Sequence, residues 1–377
     1  MSIVPTICWT EDGAVRSARW HSEGGTPPPR RVVIADDRLT ADAALRLAGA
    51  GTALLWRGDF QNARQLLRAM SRRIERKPAL VAASRAEAFR QYRHAQSLRA
   101  RTLGMLLLPF VEDYRLPLRR APDVRQACRE AYGVTLAAPG PFIASLRELL
   151  GLIGAHEWRR KGVVVPALGA RIHPHYGVFA PIRGEYVGLV AAAPLPPACA
   201  LAFDIGTGTG VLAAVLAQRG VARIVATDQD PRALACAAEN LARLGLAAQV
   251  EVVAADLFPP GRAPLIVCNP PWLPARARSP LERAVYDPDS RMLKGFVKGL
   301  AAHLAPGGEG WLVLSDLAEH LGLRSRAELL AAFDLAGLKV VGRMDAKPRH
   351  PRVADTDDPL HAARAAELTS LWRLAVR

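Results

Sequence analysis

Cysteine is scarce in this 377-residue chain: Cys8, Cys128, Cys199, Cys236 and Cys268 are odd in number, far apart and without any CxxC pair. The pattern speaks against a disulfide framework or a cysteine-based zinc site and fits a reducing cytoplasm. Lysine is rarer still for so basic a protein, six of the 50 basic residues. No metal site is expected, because the stretch RIHPHYG offers only His173 and His175 with no cysteine nearby, and that pair reads as structural. A long uncharged apolar run is also missing. The longest, Tyr186 to Phe203, is broken by Pro194, Pro196 and Pro197, and the first residues lack a basic segment followed by a hydrophobic one. Neither a membrane span nor a secretory signal is therefore expected.

Half of the residues are apolar, 23% are charged, and the 30 glycines and 29 prolines are dispersed, which is the composition of a globular protein. The length is enough for about two domains, and the pattern divides them as residues 1–160 and 161–377. The net charge of +15 is uneven. Residues 1–200 carry 29 Lys+Arg against 16 Asp+Glu, whereas residues 201–377 carry 21 against 19. Residues 51–100 alone hold 11 basic and 3 acidic groups. Such a concentration raises the affinity for phosphate, so RNA is the partner expected of the first domain.

In that domain, residues 31–77 read as strand, helix, strand, helix, from the apolar runs RVVIA and TALLW and the helical segments between and after them. Asp59 is placed to cap the second helix, whose Arg64, Arg68, Arg72 and Arg76 recur every four residues. A stripe of that kind lies along a phosphate backbone or forms an ordinary solvated face. Residues 83–103 read as a further basic helix, with Phe89 and Tyr92 interleaved among arginines as bases or core would require. Two more helices are expected near 124–132 and 141–157, followed by a hairpin-like connection through GVVVPALGARIHP.

From Ala200 onward strands and helices alternate, the signature of a parallel doubly wound sheet. Strands are expected to begin near Ala200, Ala222, Gln249, Pro264, Trp311, Leu338 and Thr369. Asp230 with Pro231 opens one helix that Gly245 closes, and Ser325 with Glu328 makes a capping box on another. The fold class is thus α/β: a Rossmann-like seven-stranded sheet, preceded by a smaller mixed α/β, helix-rich domain.

Four elements fall at the carboxyl ends of successive strands, where such a sheet binds ligands. The strand LAFDI leads through Asp204 to Gly206, Gly208 and Gly210 at the start of a helix. Val211 stands where a dinucleotide fingerprint wants its third small residue, which argues against NAD. The next strand ends in Asp228, suited to accept from both ribose hydroxyls of an adenosine-type ligand, and the third in Asp256, suited to the adenine amino group. The fourth runs into Asn269, Pro270, Pro271 and Trp272. An amino group conjugated to a ring or carbonyl is a poor nucleophile. Accepting its hydrogens with the Asn269 side-chain oxygen and the Pro270 carbonyl favours a pyramidal nitrogen whose lone pair points at an electrophile. Trp272 would stack on the flat group and hold it in line.

DIGTGTG, TDQDP, AADLF and IVCNPPW, in this order and spacing, resemble the motifs of class I S-adenosylmethionine-dependent methyltransferases of the methyltransferase small domain superfamily. That group includes release-factor glutamine methyltransferases and ribosomal RNA guanine-N2 methyltransferases. The resemblance implies S-adenosylmethionine as cofactor. It puts Asp204, Gly206 and Gly208 around the methionine part, Asp228 on the ribose, Asp256 near adenine, and Asn269 and Trp272 on the acceptor. Thr207, Gly210, Gln229 and Leu257 complete the implied cofactor-binding set. Two departures stand out: Pro264 replaces an aspartate that often precedes the motif strand, and AVYDPDSRML replaces the glycine-rich LDGG segment of the release-factor enzymes. In that second stretch Tyr286, Asp287 and Arg291 line the acceptor pocket, or Asp289 or Ser290 serves as a plain helix cap. Upstream, HYGVFAPIRGEYVGLV resembles the segment that covers the cofactor in these enzymes, with Phe179, Pro181 and Glu185 as the residues facing it. The other reading is a packing helix with an apolar face of Tyr186, Leu189 and Val190.

The function implied is methyl transfer to an exocyclic amino nitrogen of a nucleobase, in ribosomal or other structured RNA that Arg64, Arg68 and Arg72 help to dock. The alternative is a glutamine amide in a protein of the translation apparatus. A nucleic-acid-binding protein with an inactive domain is disfavoured by the intact loop, both aspartates and the complete NPPW turn.

Overall fold

The computed structural model describes residues 5–75, 82–133, 140–348, 355 and 358–377. It divides the chain into two units, one drawn from Met1–Ala82 and Arg90–Glu157, the other from Ala83–Phe89 and Trp158–Arg377. Arg76, the last of the arginine stripe, lies outside the described residues.

The first unit is built from β1 (Thr6–Glu11), β2 (Ala14–Trp20), β3 (Arg31–Ala35), α1 (Ala41–Gly49), β4 (Thr52–Trp56), α2 (Phe60–Glu75), most of α3 (Arg85–Leu103), β5 (Leu106–Phe110), α4 (Arg125–Tyr132), β6 (Phe142–Ser145) and most of α5 (Leu146–Lys161), residues 85–89 of α3 and 158–161 of α5 belonging to the second unit. Its six strands form one mixed sheet in the order β1-β2-β6-β5-β4-β3. Every residue of β4 is buried, as expected of an interior strand covered on both faces. Asp59 does cap α2, accepting from the Gln61 amide at 2.8 Å, and the helix buries Phe60, Ala63, Leu66, Leu67 and Met70.

Four strands here, β1, β2, β5 and β6, were not expected from the sequence. β1 and β2 form a hairpin across Asp12 and Gly13, both at positive φ, and Ile7 packs with Ala53, Leu55, Leu107 and Ile143. β5 runs parallel to β4 in the middle of the sheet. Residues 141–157, expected as one helix, begin instead as β6, because Phe142 pairs with Phe110 of β5 and their rings stack at 4.5 Å. The helix starts only after Ser145, whose hydroxyl accepts from the Arg147 amide. Phe89 on α3 is buried, which removes it as a stacking platform for bases.

The second unit contains β7 (Val163–Val165), β8 (Ala170–Ile172), α6 (Glu185–Ala192), β9 (Leu201–Ile205), α7 (Val211–Gln218), β10 (Arg223–Asp228), α8 (Pro231–Arg243), β11 (Val250–Ala254), β12 (Ala263–Cys268), α9 (Arg291–His303), β13 (Leu304–Ser315), α10 (Leu317–His320), α11 (Arg326–Leu335), β14 (Leu338–Ala346), α12 (His361–Ala366) and β15 (Thr369–Val376). The expected hairpin is the antiparallel pair β7–β8. The large sheet has seven strands in the order β11-β10-β9-β12-β13-β15-β14. Strands β11 to β13 are parallel, but β15 runs antiparallel between β13 and β14, so the sheet is not wholly parallel. Burial on both faces hides strand direction from a sequence pattern. β13 also starts at Leu304 rather than near Trp311.

The helix ends follow the expected chemistry. Asp230 accepts from the Arg232 amide at the start of α8, and Ser325 and Glu328 make both bonds of the capping box on α11. α7 is apolar all round, with Val211 to Ala217 buried between the sheet and α6. Among the described residues no helix is long and apolar enough to cross a membrane.

Candidate active site

The sheet order reverses between β9 and β12, so the crevice outside their carboxyl ends is the topological switch point. Ile205 and Cys268 are register partners across these two strands, and the residues that follow them are Gly206 and Asn269. The glycine loop and the NPPW turn therefore leave the sheet side by side.

The loop is tied down from the neighbouring strand. The Gly206 and Thr207 amides both donate to the Thr227 carbonyl, at 2.9 and 2.8 Å. Gly206 has φ +72°, a backbone conformation strained for any residue with a side chain, and a Cβ there would also require the end of the Met292 side chain to move. Gly208, also left-handed at φ +55°, has nothing within 4 Å of its Cβ position. The backbone there is open to close approach by a ligand.

Asp204 sits beneath this loop. It is 1% exposed, and its Oδ2 accepts from the Thr207 hydroxyl at 2.7 Å and the Ala213 amide at 3.0 Å, binding β9, the loop and α7 together. Burial, opposed by those two hydrogen bonds and assisted by the Asp228 charge, pushes its pKa from 3.8 up to about 6. The folded protein thus binds this proton more tightly than the unfolded chain. Stability contributed by the group is largest at low pH and falls as pH rises from about 4 through about 6. Asp204→Asn keeps an acceptor oxygen and removes the titration. In thermal melts across that window, wild type should lose up to ~3 kcal/mol relative to the variant. Parallel pH profiles would refute this placement of the charge.

Asp228, at the end of β10, accepts from the Gly208 amide at 3.1 Å through Oδ2 and from the Asp230 amide at 3.0 Å through Oδ1. Burial raises its pKa, and these amides only partly offset that. A partly desolvated carboxylate with lone pairs to spare suits a vicinal diol. Asp256 is more exposed and forms a bridge, accepting from Gln229 Nε2 at 2.5 Å and from Arg291 Nη2 at 2.8 Å. Leu257 has φ +73°, and its carbonyl accepts from the Thr227 hydroxyl at 2.6 Å. Among the described residues no cluster of metal-ligating side chains occurs; His173 and His175 bond instead to the Arg159 carbonyl and to Glu239.

On the acceptor side, Trp272 Nε1 donates to Asn269 Oδ1 at 2.9 Å, so the two side chains expected to hold the acceptor also hold one another. The chain beyond Trp272 folds back. Leu273 bridges to Tyr286, and the Asp287 amide donates to the Leu273 carbonyl at 2.9 Å. Asp287 then caps α9, its carboxylate accepting from the Met292 and Leu293 amides. The cap is therefore Asp287 and not Asp289 or Ser290, because those two residues are left-handed with φ +56° and +54°, and Ser290 makes no side-chain cap.

The segment ahead of α6 packs as a helix start, with Tyr186, Leu189 and Val190 buried and Phe179 half-buried. Glu185 Oε1 is buried without a hydrogen-bond partner, and with Asp204 it adds to the burial that raises the Tyr186 hydroxyl pKa. A buried carboxylate oxygen with no hydrogen-bond partner is a further feature that fits a cationic, donor-rich ligand. Arg183, which sequence reasoning passed over, stands over the Trp272 ring with its Cζ 5.5 Å from the centroid. Its carboxylate partner, Glu367, is 184 residues away in the chain, so no local pattern announces it. Arg64, Arg68 and Arg72 lie on α2 of the first unit, where Arg64 donates to Gln61 and the other two are exposed.

A glycine loop at the switch point, Asp228 at the end of β10, Asp256 just beyond β11 and an NPPW turn form a site similar to that of class I S-adenosylmethionine-dependent methyltransferases. Residues 170–334 match the model of the methyltransferase small domain. The chain is similar to the release factor glutamine methyltransferase of Cereibacter sphaeroides, 37% identical over 181 residues that cover 44% of this chain and 63% of that protein. It is also similar to the ribosomal protein L11 methyltransferase of Pelotomaculum thermopropionicum, 36% identical over 37% of this chain and 39% of the relative. A third relative is the tRNA1(Val) (adenine(37)-N6)-methyltransferase of Bacteroides fragilis, 32% identical over 34% of this chain and 61% of its own length. The chain thus matches less than two thirds of each of these relatives.

Proposed function

We propose that the chain is an S-adenosylmethionine-dependent N-methyltransferase whose acceptor is an exocyclic amino nitrogen of a nucleobase in structured RNA, ribosomal RNA foremost. The observation that carries the transfer is the NPPW turn leaving the sheet beside the glycine loop. Bound S-adenosylmethionine supplies an electrophilic methyl group on a sulfonium. Asp228 would bind and orient the ribose, while the open backbone at Gly208, beside Gly206, would leave room for the methionine part. Asn269 Oδ1 keeps a lone pair beyond the one taken by Trp272, and with the Pro270 carbonyl it accepts the two amino hydrogens. The acceptor lone pair would then point at the methyl group; as the N–C bond forms the sulfonium S–C bond breaks, S-adenosylhomocysteine leaves, and the surplus proton of the acidic methylated ammonium passes to solvent, so no strong base would be needed.

RNA is favoured by charge. Several arginines of the first unit are neutralised by acids, among them Arg57 by Glu11, Arg73 by Asp42 and Arg120 by Asp59. The surplus of the first 200 residues remains, and Arg68 and Arg72 are exposed. In the full-length protein, Arg68→Glu with Arg72→Glu should weaken RNA binding at ~50 mM salt and lower the log-log salt slope by roughly one unit for each phosphate no longer neutralised. S-Adenosylmethionine affinity should stay unchanged. A salt slope identical to wild type would remove α2 from the interface.

A second reading, a glutamine amide in a protein of the translation apparatus, is favoured by the 37% identity to a release factor glutamine methyltransferase. Mass spectrometry of ribosomal RNA, transfer RNA and ribosome-associated proteins from a deletion strain separates the two. A methyl group missing from RNA supports the first, and one missing from a protein glutamine replaces it with the second.

A further inference from the structure

Arg183 joins four segments that are remote in sequence. Its Nη1 and Nη2 donate to Glu367 Oε1 and Oε2 at 3.0 and 3.2 Å, a bidentate pair. Glu367 is 1% exposed, and its Oε1 also accepts from the Ser315 hydroxyl at 2.7 Å. Ser315 ends β13 and is the register partner of Thr369 in β15, so the carboxylate is anchored to the rigid part of the sheet. The guanidinium is held by this anchor while lying over Trp272. Trp272 in turn donates its indole N–H to Asn269.

An indole ring on a loop has two side-chain torsions to settle. The hydrogen bond to Asn269 fixes one edge, and apolar packing on the core of the second unit holds the rest of the ring only by non-directional contacts. A planar guanidinium over one face adds a directional contact, and a lysine would not reproduce the effect because it lacks the planar fork. Buried ion pairs are poor sources of stability and better at specifying one arrangement. Trp272 is half-buried against the apolar core of the second unit, so a guanidinium over one face also removes that face from any planar acceptor.

We propose that Arg183, locked by Glu367 and Ser315, is a positioning residue that sets the plane of Trp272 and confines the flat acceptor group to the opposite face of the indole. The consequence for catalysis rests on the methyltransferase reading above; the effect on Trp272 does not.

Incorporating 5-fluorotryptophan places a fluorine reporter at each of the seven tryptophans. The Trp272 resonance is the one lost in Trp272→Phe. In Arg183→Met combined with Glu367→Gln, which leaves no buried unpaired charge, that resonance should shift and broaden while the other six hold their positions. Arg183→Lys should shift it part of the way. With tritiated S-adenosylmethionine and bulk ribosomal and transfer RNA from a deletion strain as acceptor, both variants should raise the apparent KM for RNA about tenfold or more and leave S-adenosylhomocysteine binding within twofold. An unmoved Trp272 resonance overturns the proposal, and if the double variant does not fold, Arg183→Lys decides alone. A shifted resonance in a protein that binds no S-adenosylhomocysteine upholds the positioning role and overturns the methyltransferase reading instead.

Discussion

Asn269→Ala should cut methyl-transfer turnover about 100-fold or more while leaving S-adenosylmethionine affinity within a few-fold. The asymmetry follows from when the side chain acts. A planar amino group hardly needs an acceptor beneath it in the ground state, because its hydrogens lie in plane. As nitrogen becomes pyramidal, those hydrogens tilt toward Asn269 Oδ1 and the Pro270 carbonyl, and the bonds strengthen on the way to the transition state. The truncation also frees Trp272, whose N–H loses its acceptor at 2.9 Å. Trp272→Phe separates the two effects, since it keeps the aromatic face and the Asn269 amide while losing that bond. Its turnover should fall less than that of Asn269→Ala. Single-turnover kinetics and calorimetry measure both quantities, and near-normal turnover in Asn269→Ala refutes the role.

The second large effect is on cofactor binding. Asp228→Ala should weaken S-adenosylmethionine binding by a factor of roughly 30 to 150, the equivalent of ~2 to 3 kcal/mol for a lost buried acceptor pair. Two losses combine. The carboxylate no longer accepts from the ribose, and the Gly208 amide loses the partner that holds the loop at 3.1 Å. Asp228→Asn, which retains one acceptor oxygen, should fall between wild type and the alanine variant. Isothermal calorimetry with S-adenosylhomocysteine, a ligand that does not turn over, is the clean measurement. A protein that binds NAD and ignores both S-adenosyl compounds would end this reading.

How much of the site is readable from the sequence depends on what each residue acts upon. Asn269 and Asp228 are legible because they stand at strand ends, where an alternating pattern of strands and helices already puts ligands. Asp204 lies in β9 beneath the loop, but its partners are the Thr207 hydroxyl and the Ala213 amide, so its carboxylate serves the loop. Asp256 is tied to Gln229 and Arg291, a bridge that local spacing does not reveal. The cap of α9 lies two or three residues before the expected positions, because Asp289 and Ser290 adopt left-handed backbone, which composition alone does not announce.

The amino-acid sequence by itself determined the seven strands of the second unit's large sheet, the capped ends of α8 and α11, the glycine loop and the NPPW turn. These follow from short-range physics: periodic burial, side chains bonding to backbone a few residues away, and glycine where the backbone is left-handed. Tertiary structure alone decided that β15 runs antiparallel, that Phe142 joins a strand against Phe110, and that Phe89 is buried. It also brought Arg183, Glu367, Ser315 and Trp272 together. Strand direction and long-range ion pairs depend on which surfaces meet once the chain is closed. Two residues separated by 184 positions carry no mark of one another until the sheet puts them 3.0 Å apart.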